Sequence, residues 1–180
     1  MKVKIVEKDL LNPLAESEAI KLEINPIPEN INKISLFDNT KPNANIILNI
    51  IAENLNNINF IRVKKPAGAP ATPKQLENAT RADLSILAIG DCGSCTTWVI
   101  LDAIRLEKMK IPTICICSNK FITFAQELAR SNGMENLRIV EIDHPIAAQS
   151  REQVEIKVKK ILPEIKALLK LFKKKILFES

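Results

Sequence analysis

Beginning at Lys33, short apolar runs alternate with segments in which apolar residues recur every three or four positions. The apolar runs predict five strands, at residues 34–37, 59–63, 84–89, 111–117 and 137–142. The segments between them predict helices over 43–55, 97–109 and 121–131, a short helix ending near Arg81, and a long C-terminal helix. Strands that alternate with helices of this length indicate βαβ crossovers. We therefore predict an α/β fold, a doubly wound three-layer α/β/α sandwich with a mostly parallel five-stranded sheet, flavodoxin-like or Rossmann-like.

Both ends of the chain lie outside this alternation. Residues 1–30, which end in the linker-like stretch Asn25-Pro26-Ile27-Pro28, predict an arm that packs on the domain or on the second subunit of a homodimer. Residues 31–180 then form one domain, closed by a basic amphipathic helix that could bend at Pro163. Most of the net charge of +5 lies in this helix. We interpret the charge as a solvated helix face, because no aromatic or RNA-binding motif accompanies it, and we predict no nucleic-acid partner.

Composition supports a globular protein, with 46% hydrophobic and 26% charged residues. No apolar run approaches the roughly 20 residues that a bilayer span requires, and the first residues lack the apolar core of a signal peptide. We therefore expect a cytoplasmic protein with no membrane partner. In that compartment its four cysteines would serve catalysis, metal binding or the core rather than disulfides.

Polar residues collect where the predicted strands end. In an open α/β sheet, ligands bind beyond the carboxyl ends of the strands. With a strand order of 2-1-3-4-5, the crevice lies between strands one and three. The residues that we expect to meet at this edge are Asn39, Lys41, Lys65, Asp91, Cys92, Gly93, Ser94, Cys95, Thr96, Asn119 and His144.

The pair Cys92 and Cys95 lies between a strand and a helix. Free backbone N–H groups and the positive end of the helix dipole favour the thiolate at such a junction. We predict that Cys92 attacks a sulfur, a disulfide or an activated carbon and that Cys95 resolves the intermediate as a disulfide. His144 would be the acid/base partner, with its loop curling back over the fourth strand, and Asp91 a proton relay or a helix cap.

The remaining polar residues predict a pocket for a small anionic molecule. Lys41 and Lys65 would orient a carboxylate or phosphate, while Ser94 and Thr96 would cap the helix or donate hydrogen bonds to the substrate. Gly93 would allow a close approach of the backbone, and Asn39 and Asn119 would complete the pocket. A separate thiol would supply electrons. Cys115 and Cys117 alternate with isoleucines and are predicted to lie in the core.

Two other classes of function fit the same residues. Cys92, Cys95 and His144, with Asp91 as a fourth candidate, have the donor atoms of a zinc site. Alternatively, the cysteines could switch a non-catalytic redox-sensing module. No organic cofactor is predicted, because the turn after the first strand lacks the glycines of a nucleotide-binding loop.

The stretch from Gly90 to Thr96 resembles the UGSC family, which is named for a selenocysteine-Gly-Ser-Cys motif whose first position is cysteine in many members. Further resemblance, within about residues 33–150, lies in Asn39-Thr40-Lys41-Pro42-Asn43, Lys64-Lys65-Pro66, Asp102, Glu107, Ile111-Pro112-Thr113, Phe121 and His144-Pro145. The resemblance implies that position 92 is the reactive chalcogen. It also implies a distant similarity to the selenoprotein subunit of glycine and betaine reductases, which forms a covalent selenoether with its substrate.

Overall fold

The computed structural model describes residues 21–170 and shows a parallel sheet covered by helices on both faces. In chain order the elements are β1 (Lys33–Asp38), α1 (Ala44–Glu53), β2 (Asn59–Lys64), α2 (Pro73–Ala79), β3 (Leu84–Gly90), α3 (Gly93–Lys108), β4 (Thr113–Ser118), a 3-10 turn (Asn119–Phe121), α4 (Ile122–Ser131), β5 (Ile139–Ile142) and α5 (Arg151–Lys170). The strands lie in the order β2-β1-β3-β4-β5, and every neighbouring pair is parallel. The predicted α/β sandwich, its five-stranded sheet and its strand order are confirmed.

Side chains of the strands alternate between two apolar cores, one on each face of the sheet. Ile34, Leu36 and Ile86 belong to the core that α1 and α5 cover. Phe37 and Leu87 belong to the other, which α2, α3 and α4 cover. Cys115 and Cys117 are fully buried in this second core, as predicted. Burial raises the pKa of both thiols, that of Cys117 to about 12, so neither is available as a nucleophile.

Helix α3 begins at Gly93, four residues before the predicted start at Thr97. The prediction was wrong because Gly93, Ser94 and the threonines after them have low intrinsic helix propensity. In the structure Cys92 is the N-cap, and its sulfur accepts a hydrogen bond from the Cys95 N–H at 3.4 Å. Both cysteines therefore lie at the first turn of the helix rather than in a loop before it.

The described part of the N-terminal segment packs on the domain. The Leu22 N–H donates to the Gly133 carbonyl at 2.7 Å, and the Asn25 side chain donates to the Glu107 carboxylate at 2.7 Å. Ile27 is 3% exposed, in the same core as α1. Residues 1–20 of the predicted arm lie outside the described residues.

At the other end, α5 is one helix that continues through Pro163. It buries Val154, Val158 and Ile165 against the sheet. The lysines at 173–175, which form part of the predicted basic face, lie outside the described residues. Among the helices that the structure describes, none combines the length and the apolar character needed to cross a membrane.

Gly90, the last residue of β3, provides a test of how closely α3 approaches the sheet. A Cβ built on Gly90 would lie 2.6 Å from Cys117 Sγ and 2.9 Å from Thr96 Oγ1. We expect Gly90→Ala to lower the free energy of unfolding by about 1–3 kcal/mol, because the backbone must move to relieve the overlap. Urea unfolding measures the change.

Gly93→Ala is the matched control, since a Cβ there meets nothing within 4 Å. Its expected effect ranges from none to a gain of about 1 kcal/mol, from the higher helix propensity of alanine. Equal losses of stability in the two variants would contradict this account of the junction.

Candidate functional site

Cys92 presents a half-buried sulfur at the N-terminus of α3. Besides the Cys95 N–H, this sulfur has the Lys41 ammonium and the Ser94 hydroxyl as neighbours, each at 3.8 Å. Burial alone would raise the pKa of Cys92. The hydrogen bonds from Cys95 and Ser94 and the charge of Lys41 outweigh burial and lower this pKa below its usual value. Cys92 is therefore the thiol that ionises first.

Cys95 has the opposite character. Its side chain is buried, and burial, followed by the neighbouring Cys92, raises its pKa to about 11. The buried thiol keeps its proton and donates it toward the sulfur that carries the charge. The two cysteines thus form an unequal pair, with a reachable thiolate and a protected thiol.

The turn that carries Lys41 is fastened to β3 by the side chain of Asn39. Its Nδ2 donates to the Ile89 carbonyl at 2.9 Å, and its Oδ1 accepts from the Ile89 N–H at 3.0 Å and the Lys41 N–H at 3.3 Å. Asn39 is 1% exposed. Asn39 was predicted to contact substrate, but its side chain is buried and bonded to the backbone. Its role is instead to hold the turn that brings Lys41 to the Cys92 sulfur.

The loop after β5 does curl back over β4, and it reaches Asp91. His144 Nδ1 lies 2.8 Å from Asp91 Oδ1, while the N–H groups of Ile146 and Ala147 each donate to Asp91 Oδ2 at 3.0 Å. Burial alone would raise the pKa of Asp91, but these bonds and one from Ser118 lower it. An ionised carboxylate only accepts, so His144 Nδ1 carries a proton toward Asp91, and within the described residues the contacts of the ring are made through Nδ1 rather than Nε2.

Further contacts hold His144 in place. The exposed Asn119 accepts from the His144 N–H at 3.2 Å, and the Ser118 hydroxyl lies 3.2 Å from His144 Nδ1. Asn43 Nδ2 donates to the carbonyls of Ile146 and Gln149 at 2.8 and 2.9 Å. Sequence reasoning did not assign Ser118 or Asn43, although both follow or end a strand at this edge of the sheet, the one signal that could have found them.

Two residues predicted to bind substrate have their polar groups buried in the protein. The Lys65 side chain is 1% exposed and its Nζ lies 2.9 Å from Asp102 Oδ2. Thr96 is fully buried, and its hydroxyl donates to the Cys92 carbonyl at 2.8 Å. Lys65 therefore holds the backbone at Ala69, and Thr96 holds the backbone at Cys92. Gly93 and Ser94, by contrast, are exposed beside Cys92.

The zinc alternative requires at least three ligands that lie close together. Within residues 21–170, no three His, Cys, Asp or Glu side chains are grouped closely enough to hold a metal ion. The cysteines form one pair, and Asp91 with His144 forms another. Cys92, Cys95 and His144 are therefore not grouped as a set of three ligands in the described part of the chain.

Two cavities lie away from the cysteine pair. One, of about 400 Å³, lies by the amino ends of β1 and β2 and is lined by Glu29, Ile31, Asn54, Leu55, Asn56, Asn57, Ile58, Lys166 and Leu169. The other, of about 350 Å³, lies between α2 and α3 and is lined by Pro73, Leu76, Arg105, Lys108 and Met109. Neither contains a cysteine or a histidine, so the thiol pair remains the candidate site.

Fold and site together define a doubly wound α/β protein with an unequal cysteine pair at the N-terminus of the helix that follows its central strand. The UGSC family model matches residues 9–171, and the chain belongs to the UGSC family. The match extends beyond residues 33–150, where the resemblance was expected to end, and includes part of the N-terminal segment and α5. No curated protein matches the chain.

The contact between Lys41 and Cys92 generates a prediction about the reactive thiol. Lys41→Gln removes a positive charge 3.8 Å from the sulfur, so we expect the apparent pKa of Cys92 to rise, with partial solvation limiting the effect. Alkylation of Cys92 at neutral pH should then be several-fold slower. The pH profile of the alkylation rate measures the shift.

Lys41→Arg is the matched control, since it keeps the charge. It should leave the inflection of the profile close to that of the wild type. An unchanged inflection in Lys41→Gln would show that the lysine does not stabilise the thiolate.

Proposed function

We propose that this protein is a thiol-dependent redox or nucleophilic enzyme in which Cys92 attacks a small anionic substrate or a disulfide and Cys95 resolves the intermediate. The observation that carries the proposal is the unequal pair: a half-buried Cys92 with a lowered pKa beside a buried Cys95 with a pKa of about 11. A nucleophile must be ionised and reachable, whereas a resolving thiol must wait until the first bond has formed. Membership of the UGSC family, whose motif includes both positions, also supports it.

With a disulfide substrate, the Cys92 thiolate forms a new S–S bond with one substrate sulfur and the original S–S bond breaks. The departing thiolate takes up a proton. His144 is the candidate carrier of that proton: Asp91 holds Nδ1, so Nε2 would take up the proton that Cys92 loses on ionising and return it to the departing sulfur. Lys41 attracts the anionic substrate as well as lowering the pKa of Cys92, and the exposed Ser94 hydroxyl is available for a hydrogen bond.

In the second step Cys95 attacks the Cys92 sulfur. Once Cys92 is bound in a mixed disulfide, its negative charge no longer raises the pKa of Cys95, so the thiol loses its proton more readily. The product is a Cys92–Cys95 disulfide and a second released thiol. The two electrons gained by the substrate come from the two cysteines, so an external thiol donor must restore the pair.

An activated carbon is the other substrate class in this proposal. Cys92 would form a thioether and expel the leaving group with its electron pair. This chemistry parallels the covalent selenoether that the selenoprotein subunit of glycine and betaine reductases forms with its substrate. A distant similarity to that subunit is part of what we propose.

The experiment is to incubate Cys95→Ser with cell extract and to identify by intact mass whatever becomes attached to Cys92. We expect an adduct that persists, because the second step is removed. The double variant Cys92→Ser, Cys95→Ser is the matched control and should gain no mass. His144→Gln in the Cys95→Ser background should form the adduct more slowly.

Absence of any Cys92-dependent adduct or turnover would contradict the proposal. Oxidation that changes the oligomeric state, seen by size-exclusion chromatography without any adduct, would instead favour the redox-sensing alternative. The nature of the bond is read from its response to reductant: a mixed disulfide is released and a thioether is retained.

A further inference from the structure

Residues 66–70, which we call the access loop, border the reactive thiol. A Cβ built on Gly68 would lie 3.7 Å from the Ser94 hydroxyl oxygen, and that oxygen lies 3.8 Å from the Cys92 sulfur. Gly68 has a φ of +69°, in the left-handed region that favours glycine. The loop therefore forms one side of the opening through which a molecule approaches Cys92.

A buried ion pair ties down the end of this loop. Lys65 Nζ donates to the Ala69 carbonyl and lies 2.9 Å from Asp102 Oδ2. Both carboxylate oxygens of Asp102 accept from the Ala71 N–H at 3.1 Å. Arg105 Nη1 donates to the Ala71 carbonyl at 2.8 Å. Polar contacts from one carboxylate and two cations thus fix the backbone where the loop rejoins α2.

The loop buries little apolar surface of its own. Residues 66–68 and 70 are exposed, and the loop consists of alanine, glycine and proline. The side chains of Lys65 and Asp102, by contrast, are 1% and 0% exposed. Burying such a pair is costly, and apolar residues of similar size are often as stable. Its distinctive contribution here is therefore to the position of the loop.

We propose that the access loop limits the size of the substrate that reaches Cys92, and that Lys65 is the residue that positions it. The proposal rests on Cys92 being the reactive thiol of the proposed function. Lys65 acts through the loop and not by touching substrate, which differs from the role expected from sequence. The protein should accordingly favour small substrates.

The test compares two maleimides of different size on Lys65→Met: N-methylmaleimide and a maleimide that carries a polyethylene glycol chain. Both react with the same Cys92 thiolate, so the ratio of their rate constants is independent of the pKa of Cys92. We expect the rate for the large reagent, relative to the small one, to rise several-fold. In a folded variant, this change in the ratio reports a wider approach to Cys92.

Lys64→Met is the matched control, because Lys64 is the exposed neighbour of Lys65 and its side chain makes none of the contacts described above that hold the access loop. Its ratio should equal that of the wild type. Arg105→Met, which removes the bond to Ala71 from a side chain that is 39% exposed, should give a smaller rise. It also keeps the test decisive if Lys65→Met fails to fold.

Fluorescence of Trp98 during urea unfolding shows which variants are folded in the same samples. Trp98 is the single tryptophan of the chain, and its ring centroid lies 6.0 Å from Lys65 Nζ. An unchanged ratio in the folded variants would overturn the access-loop proposal and leave the proposed function intact. If instead the small reagent shows no preference for Cys92 in the wild type, the proposed function itself fails.

Discussion

The parallel pairing of β1 with β3 is the constraint on which the site depends. The chain leaves β1 for β2 on one side and returns to β3 on the other, so the connections that follow these two strands diverge to opposite faces of the sheet. The crevice left between them receives Lys41 from one connection and Cys92 from the other. Asn39 spans that crevice from one backbone to the other. Without this neighbour relation, no local sequence feature would bring a lysine within 3.8 Å of the sulfur.

Two buried carboxylates then arrange the other sides of the site around α3. Asp91, just before the helix, holds the loop that carries His144. Asp102, within the helix, holds the backbone at the end of the access loop. Asp91 accepts from two backbone N–H groups of a distant loop, and Asp102 accepts from one and pairs with Lys65. Such partners make a buried charge tolerable in a protein interior. One helix therefore supplies the N-cap thiol, while the carboxylates at its start and along its length position two neighbouring loops.

The sequence was sufficient to predict the α/β sandwich and its parallel five-stranded sheet, and the strand order that it supposed is the order found, because hydrophobic periodicity and the right-handed crossover restrict the topology strongly. It was insufficient for the roles of Asn39 and Lys65. Both are polar residues at strand ends, and only tertiary contacts reveal that Asn39 faces the backbone of β3 and that Lys65 is paired with Asp102. The start of α3 was missed for a related reason: a sulfur cap and packing against Gly90 outweigh the low helix propensity of the first turn.

The central claim is that Cys92 and Cys95 differ in acidity, and ultraviolet absorbance of the thiolates during a pH titration tests it most directly. The account predicts that one thiolate forms below the usual thiol range, and that this step disappears in Cys92→Ser and persists in Cys95→Ser. A second step should follow near pH 11, where the raised pKa of Cys95 lies. Burial of Cys115 and Cys117 raises their pKa values and keeps both thiols out of the first step. A titration in which no thiolate forms below the usual range, or in which the first step is lost only in Cys95→Ser, would contradict the account.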